Sequence, residues 1–248
     1  MALTHQSRKP RTADPVSHQL HLAFFALCML LAPLTVSLWF GLCPEYGNPA
    51  CPVGTDATVA AFREANPLLM QLFFVVSFIS AYLYPLSYIG LGRLAMKRSP
   101  WLSSIGMALG FVGSVVWILL IGESFWVYAA AHAHADAQFI LLGKTYVANW
   151  VVFAMHGGWI IGHLLGYVLL GVALLRAQAI PRWAAWLLIL SPFVMGPLAY
   201  GTGLGLLQVL GYVLVFIGSI PAAFVTLRGR DEHEQASVSV AGELTPTS

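Results

Sequence analysis

The sequence predicts an all-α membrane protein, a polytopic helical bundle with six transmembrane helices and both termini in the cytoplasm. Composition, six long apolar runs and the positions of the basic residues lead to this prediction. Of the 248 residues, 58% are hydrophobic and only 9% are charged, whereas soluble domains carry about 25% charged residues. So few charges cannot cover a water-facing surface, so most of the surface must face lipid. The net charge of +2 gives no indication of a nucleic-acid partner.

Six apolar runs are each long enough to cross a hydrocarbon core of about 30 Å. They lie at Leu20–Leu42, Leu68–Leu91, Trp101–Ala129, Val147–Leu175, Trp183–Tyr200 and Leu204–Leu227. Backbone groups in lipid must bond within their own segment, so these runs are predicted to be helices. We therefore expect a transmembrane domain over residues 20–227, between a disordered cytoplasmic arm, residues 1–19, and a disordered cytoplasmic tail, residues 228–248.

The basic residues predict the orientation of the bundle. All but two of the 12 Lys and Arg residues fall on one side of a six-span topology. These are Arg8, Lys9, Arg11, Arg93, Lys97, Arg98, Arg176, Arg182, Arg228 and Arg230. Arg63 and Lys144 fall on the other side. Cytoplasmic loops carry an excess of Lys and Arg, so both termini are predicted to be cytoplasmic.

The first outer loop contains two cysteines and a possible short helix. Cys43 and Cys51 share the outer, oxidising side of the predicted topology, which favours a disulfide that closes the loop. Two free thiols are the alternative. Residues 57–66 are compatible with a short interfacial helix before Pro67. Cys28 lies within the first predicted span, where a small apolar residue packs well.

A similar four-residue string occurs on the second, fourth and sixth predicted helices, at residues 87–90, 166–169 and 211–214, with Tyr88, Tyr167 and Tyr212 in second place. It is compatible with duplication of a helical hairpin or with chance, because Gly, Tyr, Val and Leu are common in membrane helices.

The ionisable residues inside the predicted spans are the first candidates for function, because such residues are costly to keep in lipid. Glu123, near the outer end of the third helix, is the only acid within a span. His156 lies at a similar depth on the fourth helix, so the two side chains are expected to be neighbours if these helices pack together. A carboxylate facing an imidazole forms either a proton donor and acceptor or a structural hydrogen-bonded pair. We take Glu123 and His156 as candidate catalytic residues.

Metal and haem sites are weakly indicated. His163 follows His156 by about two helical turns, too far for both to bind one metal ion. A haem would need a histidine at middle depth on another span. The sequence His132-Ala-His134-Ala-Asp136 has donor atoms for a metal, although solvated loop histidines are commoner. We therefore predict no cofactor and no metal.

Several aromatic residues at helical positions are candidates for lining an interior cavity. With His163, the candidates are Tyr88, Trp126, Trp159 and Tyr167. The alternative is ordinary packing, or belts at the membrane interface, as expected for Trp101 and Trp183 at the inner starts of their helices.

The stretch from Gly171 to Pro192, with its Arg176…Pro181-Arg182-Trp183 turn, resembles a pattern in small bacterial membrane proteins. These proteins are mostly actinobacterial and form a domain family of unknown function. The resemblance implies about six spans, a short helix after the first span and a bacterial plasma membrane location. It implies no particular activity.

Two functions fit these residues. One is a non-enzymatic bundle, with membrane lipids and a hydrophobic small molecule as partners, or an accessory subunit or carrier. The other is an intramembrane enzyme, such as an isoprenoid cyclase or isomerase, with Glu123 as general acid and His156 tuning its acidity. An enzyme predicts that Glu123, His156, Trp126, Trp159 and Tyr88 converge on one cavity. Scattered positions favour the bundle.

Overall fold

The computed structural model describes residues 15–44 and 56–243. Within them the chain is an all-α bundle with no strand. The helices are α1 (Pro15–Leu42), α2 (Asp56–Glu64), α3 (Pro67–Ala95), α4 (Pro100–His132), α5 (Asp136–Val147), α6 (Trp150–Ala177), α7 (Arg182–Phe193), α8 (Ala199–Thr202) and α9 (Leu206–Glu243). A π-helical segment, Val194–Leu198, joins α7 to α8.

Six segments of the described chain are long and apolar enough to cross a membrane, which confirms the predicted number of spans. They are Val16–Leu42, Pro67–Ala95, Pro100–His132, Trp150–Ala177, Arg182–Thr202 and Leu206–Gly229. The fifth combines α7, the π-helical segment and α8. At its ends the chain is more helical than predicted: α1 begins at Pro15, within the expected arm, and α9 continues to Glu243, within the expected tail.

The six spans form a closed ring. In order around it, α1 contacts α3, α3 contacts α4, α4 contacts α6, α6 contacts α7, α7 contacts α9, and α9 returns to α1. α3 and α6 also touch across the middle. The predicted neighbours that carry Glu123 and His156 are thus α4 and α6, which share the most extensive contact of the bundle.

Small residues allow α4 and α6 to approach closely. A Cβ atom added at Gly162 would lie 2.8 Å from the carbonyl oxygen of Leu109, and one added at Gly166 would lie 3.0 Å from the Cα of Gly110. Gly158, one turn before Gly162, has open space around it. The Gly162–Gly166 pair therefore makes the close helix contact, as small-xxx-small spacing allows.

Two short helices, α2 and α5, pack on each other and on α4 at one end of the bundle. Arg63 of α2 donates a hydrogen bond from Nε to the carbonyl oxygen of Ala131, at 3.0 Å, and forms a salt bridge with Asp136 of α5. The short helix predicted over residues 57–66 is confirmed as α2. The sequence predicts a loop between the third and fourth spans, whereas the structure has the helix α5 there.

Large exposed tryptophans mark both ends of the ring. Trp101, at the start of α4, is 80% exposed, and Trp183 is also exposed at the start of α7. Toward the other end of α4, Trp126 is 73% exposed, and Trp150 is exposed at the start of α6. Exposed tryptophans at both ends are typical of the interfacial belts of membrane proteins.

The predicted Cys43–Cys51 disulfide stays a prediction. Cys43 is buried just after α1, whereas Cys51 lies outside the described residues. Cys28 is a free, buried cysteine in α1 and packs as a small apolar residue, as expected.

Candidate functional site

A groove of about 490 Å³ opens between α4 and α5. Its apolar walls come from one face of each helix: Ile118, Leu119, Trp126, Phe139 and Leu142. Glu123, Tyr146 and two glycines, Gly122 and Gly143, complete the lining. Both walls are open to the surroundings, since Trp126 is 73% and Leu142 67% exposed. The site is therefore an apolar groove on the outside of the ring with one carboxyl group in its lining.

Glu123 is held by residues from two other helices. The Tyr146 hydroxyl of α5 donates a hydrogen bond to its Oε1 atom at 2.7 Å. The Nε2 atom of His156 on α6 lies 3.3 Å from Oε1 and 3.4 Å from Oε2. The Glu123 side chain is 12% exposed, compared with 34% for His156. The predicted pairing of Glu123 with His156 is confirmed, whereas their catalytic roles stay predictions.

Tyr146 is a part of the site that sequence reasoning missed. It lies at the end of α5, outside the six spans. Burial, together with the hydrogen bond to Glu123, raises the pKa of Tyr146 to about 12. Its hydroxyl therefore keeps its proton at physiological pH and donates to the carboxyl group. A signal was present, because Asp136 at the start of an apolar run is typical of a short helix.

The other predicted cavity residues lie apart from this groove. Tyr88, Trp159, His163 and Tyr167 are buried in the centre of the ring, where their rings pack on one another. Trp126 alone among the predicted cavity aromatics lines the groove. The five residues that an enzyme cavity would bring together are thus divided between two places.

The central residues form a chain of hydrogen bonds. The Nδ1 atom of His163 lies 3.0 Å from the Trp159 carbonyl oxygen, which can only accept, so Nδ1 carries a proton. In the neutral ring Nε2 then accepts from the Tyr212 hydroxyl at 3.2 Å. Tyr84 lies 3.3 Å from Tyr212 and donates to it in turn, and Tyr88 lies 3.3 Å from Tyr84. We call Tyr84, Tyr88, His163 and Tyr212 the polar core.

A small void beside the polar core is lined by Trp159, His163, Tyr200 and Tyr212, among others. Its volume is about 10 Å³, which holds about one water molecule. The Nε1 atom of Trp159 is buried and has no hydrogen-bond partner within the described residues. A ligand larger than water does not fit here, so the groove is the better candidate site.

Two of the three loop residues considered as metal ligands are engaged elsewhere. Asp136 pairs with Arg63, and the Nδ1 atom of His132 bonds to the Tyr128 carbonyl oxygen at 3.0 Å. His134 has a positive φ of 53° in the turn before α5. Over residues 15–44 and 56–243, no three His, Cys, Asp or Glu side chains are grouped so that they could hold a metal ion.

Comparison with protein-family models finds no match, and comparisons with curated proteins and with solved structures find none either. The resemblance noted for the turn at Pro181 therefore stays a prediction. The groove and the Glu123–His156 pair are therefore the features from which a function is inferred.

Proposed function

We propose that the protein binds a lipid-like small molecule in the groove between α4 and α5. The observation that carries this proposal is an apolar groove of about 490 Å³ whose lining includes the carboxyl group of Glu123. Small-molecule sites usually measure about 300–1,000 Å³ and combine apolar walls with a few convergent polar groups. Glu123, Tyr146 and His156 supply the convergent polar groups here.

We further propose that the bundle lies in a bacterial plasma membrane with both termini in the cytoplasm. The asymmetry of Lys and Arg supports this orientation. Arg63 and Lys144 lie on α2 and α5, the two short helices that pack together at one end of the ring. In this orientation the groove opens toward the outer leaflet, at the depth of Trp126.

An intramembrane enzyme on a lipidic substrate is the second candidate. The Glu123–His156 contact favours it, because a carboxyl group beside an imidazole can transfer a proton. The burial of Tyr88 and Trp159 in the polar core region weighs against it, because these aromatic rings do not face the groove. Loss of product formation from bacterial membrane lipids in Glu123→Gln, with ligand binding retained, would favour the enzyme.

Photolabelling tests the binding site directly. The wild-type protein in nanodiscs is exposed to a diazirine-bearing long-chain alcohol, and the labelled peptides are identified by mass spectrometry. We expect labels on α4 near Trp126 and on α5 near Leu142. The variant Gly122→Phe is designed to fill the groove, because Gly122 lines it and a Cβ atom added there meets no atom within 4 Å.

A matched control is available for this variant. Gly41 on α1 also has open space around it and does not line the groove. Gly122→Phe should lose the α4 and α5 labels, and Gly41→Phe should keep them. Equal labelling in both variants, or labels spread over all lipid-facing helices, would contradict the proposed site.

A further inference from the structure

We propose that the groove selects amphiphiles with a protonated amine and that each amine displaces one proton from the Glu123–His156 pair. This inference rests on the proposed ligand groove and specifies the chemistry of its ligand. Three observations support it: the hydrogen bonds of the His156 ring, the contact of that ring with Glu123, and the signs of the surrounding charges.

One nitrogen of His156 has a fixed role. Its Nδ1 atom lies 2.8 Å from the carbonyl oxygen of Val152, one turn earlier on α6. A carbonyl oxygen only accepts, so Nδ1 must carry a proton and donate. The Nε2 atom, which points at Glu123, would then carry no proton in a neutral imidazole.

The contact between Nε2 and the carboxyl group requires a further proton. An unprotonated Nε2 and an ionised carboxylate are both acceptors, and at 3.3–3.4 Å they would repel each other. The pair is therefore either an imidazolium facing a carboxylate or an imidazole facing a carboxylic acid. In both forms one exchangeable proton lies between the two side chains, and the pair has no net charge. A neutral pair is the state that a low-dielectric surrounding favours.

Over the described residues, no other titratable side chain near the pair supplies this proton or neutralises the carboxylate. Tyr146, from α5, keeps its own proton and donates a hydrogen bond to Glu123. Lys144, on the same helix, is exposed and is not part of the groove lining. The Arg63–Asp136 salt bridge joins α2 to α5 at the end of the bundle. Among the described residues, the lining contains one acid and no Lys or Arg.

An alkylammonium ion fits this arrangement. Its chain lies on the apolar walls, and its head group donates hydrogen bonds to Glu123 in place of His156. Two cations on one buried carboxylate would leave a net positive charge in a medium of low dielectric, which is unfavourable. The proton on the pair therefore leaves to water through the partly exposed His156 ring. Anionic lipids lack a basic partner in the groove and are disfavoured.

Isothermal titration of the nanodisc protein with octylamine, and with octan-1-ol as a neutral probe of equal length, tests this inference. Each titration is run in two buffers of different ionisation enthalpy, so that released protons are counted. Octylamine stays charged over the range from about pH 6 to about pH 8, as lysine does. We expect about one proton released per amine, and an affinity that rises up to about tenfold per pH unit as the pH increases.

The variants are Glu123→Gln, which removes the carboxylate, and Glu64→Gln, which removes an exposed carboxylate on α2 as a control. Glu123→Gln should lose amine selectivity and proton release, and Glu64→Gln should keep both. Equal binding of amine and alcohol without proton release would overturn this inference and leave the ligand groove standing. Binding of neither probe would overturn both. Proton counting on the wild-type protein needs no variant, so misfolding of Glu123→Gln does not weaken the test.

Discussion

Two histidines of α6 are held in the same way and differ in what they face. In both His156 and His163, Nδ1 bonds to the carbonyl oxygen one turn earlier, so Nε2 is the variable end. His163 faces the Tyr212 hydroxyl, which can donate, so the neutral ring is satisfied. His156 faces the Glu123 carboxyl group, which cannot donate when ionised. A single change of partner thus separates a buried structural residue from a residue that holds an exchangeable proton.

The largest expected difference between the buried centre of the ring and the groove concerns their tryptophans. Trp117 is fully buried and donates from Nε1 to the Ser80 hydroxyl at 3.1 Å, whereas Trp126 is 73% exposed in the groove. Trp117→Ala should lower the free energy of unfolding by about 3–5 kcal/mol, because it leaves a cavity. Trp126→Ala should have little effect on stability and should weaken ligand binding. Thermal unfolding of both variants in one detergent measures the difference. Equal loss of stability would show that the groove wall is part of the core.

A comparison of two glycines one turn apart tests the close contact of α4 and α6. Gly162→Val places a side chain against the α4 backbone, whereas Gly158→Val enters open space. Overpacking of this kind costs about 1–3 kcal/mol, so Gly162→Val should unfold at a lower temperature and Gly158→Val near the wild-type temperature. If the two variants unfold alike, the helices do not approach as closely as described.

Two tyrosine hydroxyls provide a smaller and more specific comparison. Tyr212→Phe removes the donor to His163 and leaves a buried acceptor unsatisfied, which costs about 1–3 kcal/mol. Tyr146→Phe removes the donor to Glu123 at a half-exposed position, where water can replace it, so we expect about 1 kcal/mol or less. Denaturant unfolding of both variants checks the order. A larger loss of stability for Tyr146→Phe than for Tyr212→Phe would show that the Tyr146–Glu123 bond contributes more to the stability of the fold.

The smallest expected effect concerns the Arg63–Asp136 salt bridge between α2 and α5. Both side chains are more than a third exposed, and exposed ion pairs contribute about 0.2–1 kcal/mol. Arg63→Gln should lower the unfolding temperature slightly at low salt, and the difference should shrink at high salt. Arg176→Gln, at another exposed arginine, is the control. A salt-independent loss would assign the effect to the bond with Ala131 instead.

The sequence was sufficient for the spans and for one contact, and insufficient for the shape of the site. Long apolar runs specify helices because lipid offers the backbone no other partner, so the six spans could be predicted. Glu123 and His156 could be paired because their depths on neighbouring helices match. The division of the aromatic residues could not be predicted, because it depends on which face of each helix turns inward. Tyr88 and Trp126 are both aromatic residues within predicted spans, yet Tyr88 is buried and Trp126 is exposed.

The exposed tryptophans at the two ends of α4 have a consequence for the surrounding lipid. Trp101 and Trp126 are separated by about 37 Å along the helix at about 1.5 Å per residue. A bilayer whose interfaces match this spacing leaves the helix upright. A thinner bilayer is accommodated by tilting or by local deformation of the lipid, so the arrangement of lipid around the mouth of the groove depends on bilayer thickness. For the proposed ligand groove, we therefore expect acyl-chain length to affect how easily a molecule dissolved in the membrane reaches Glu123.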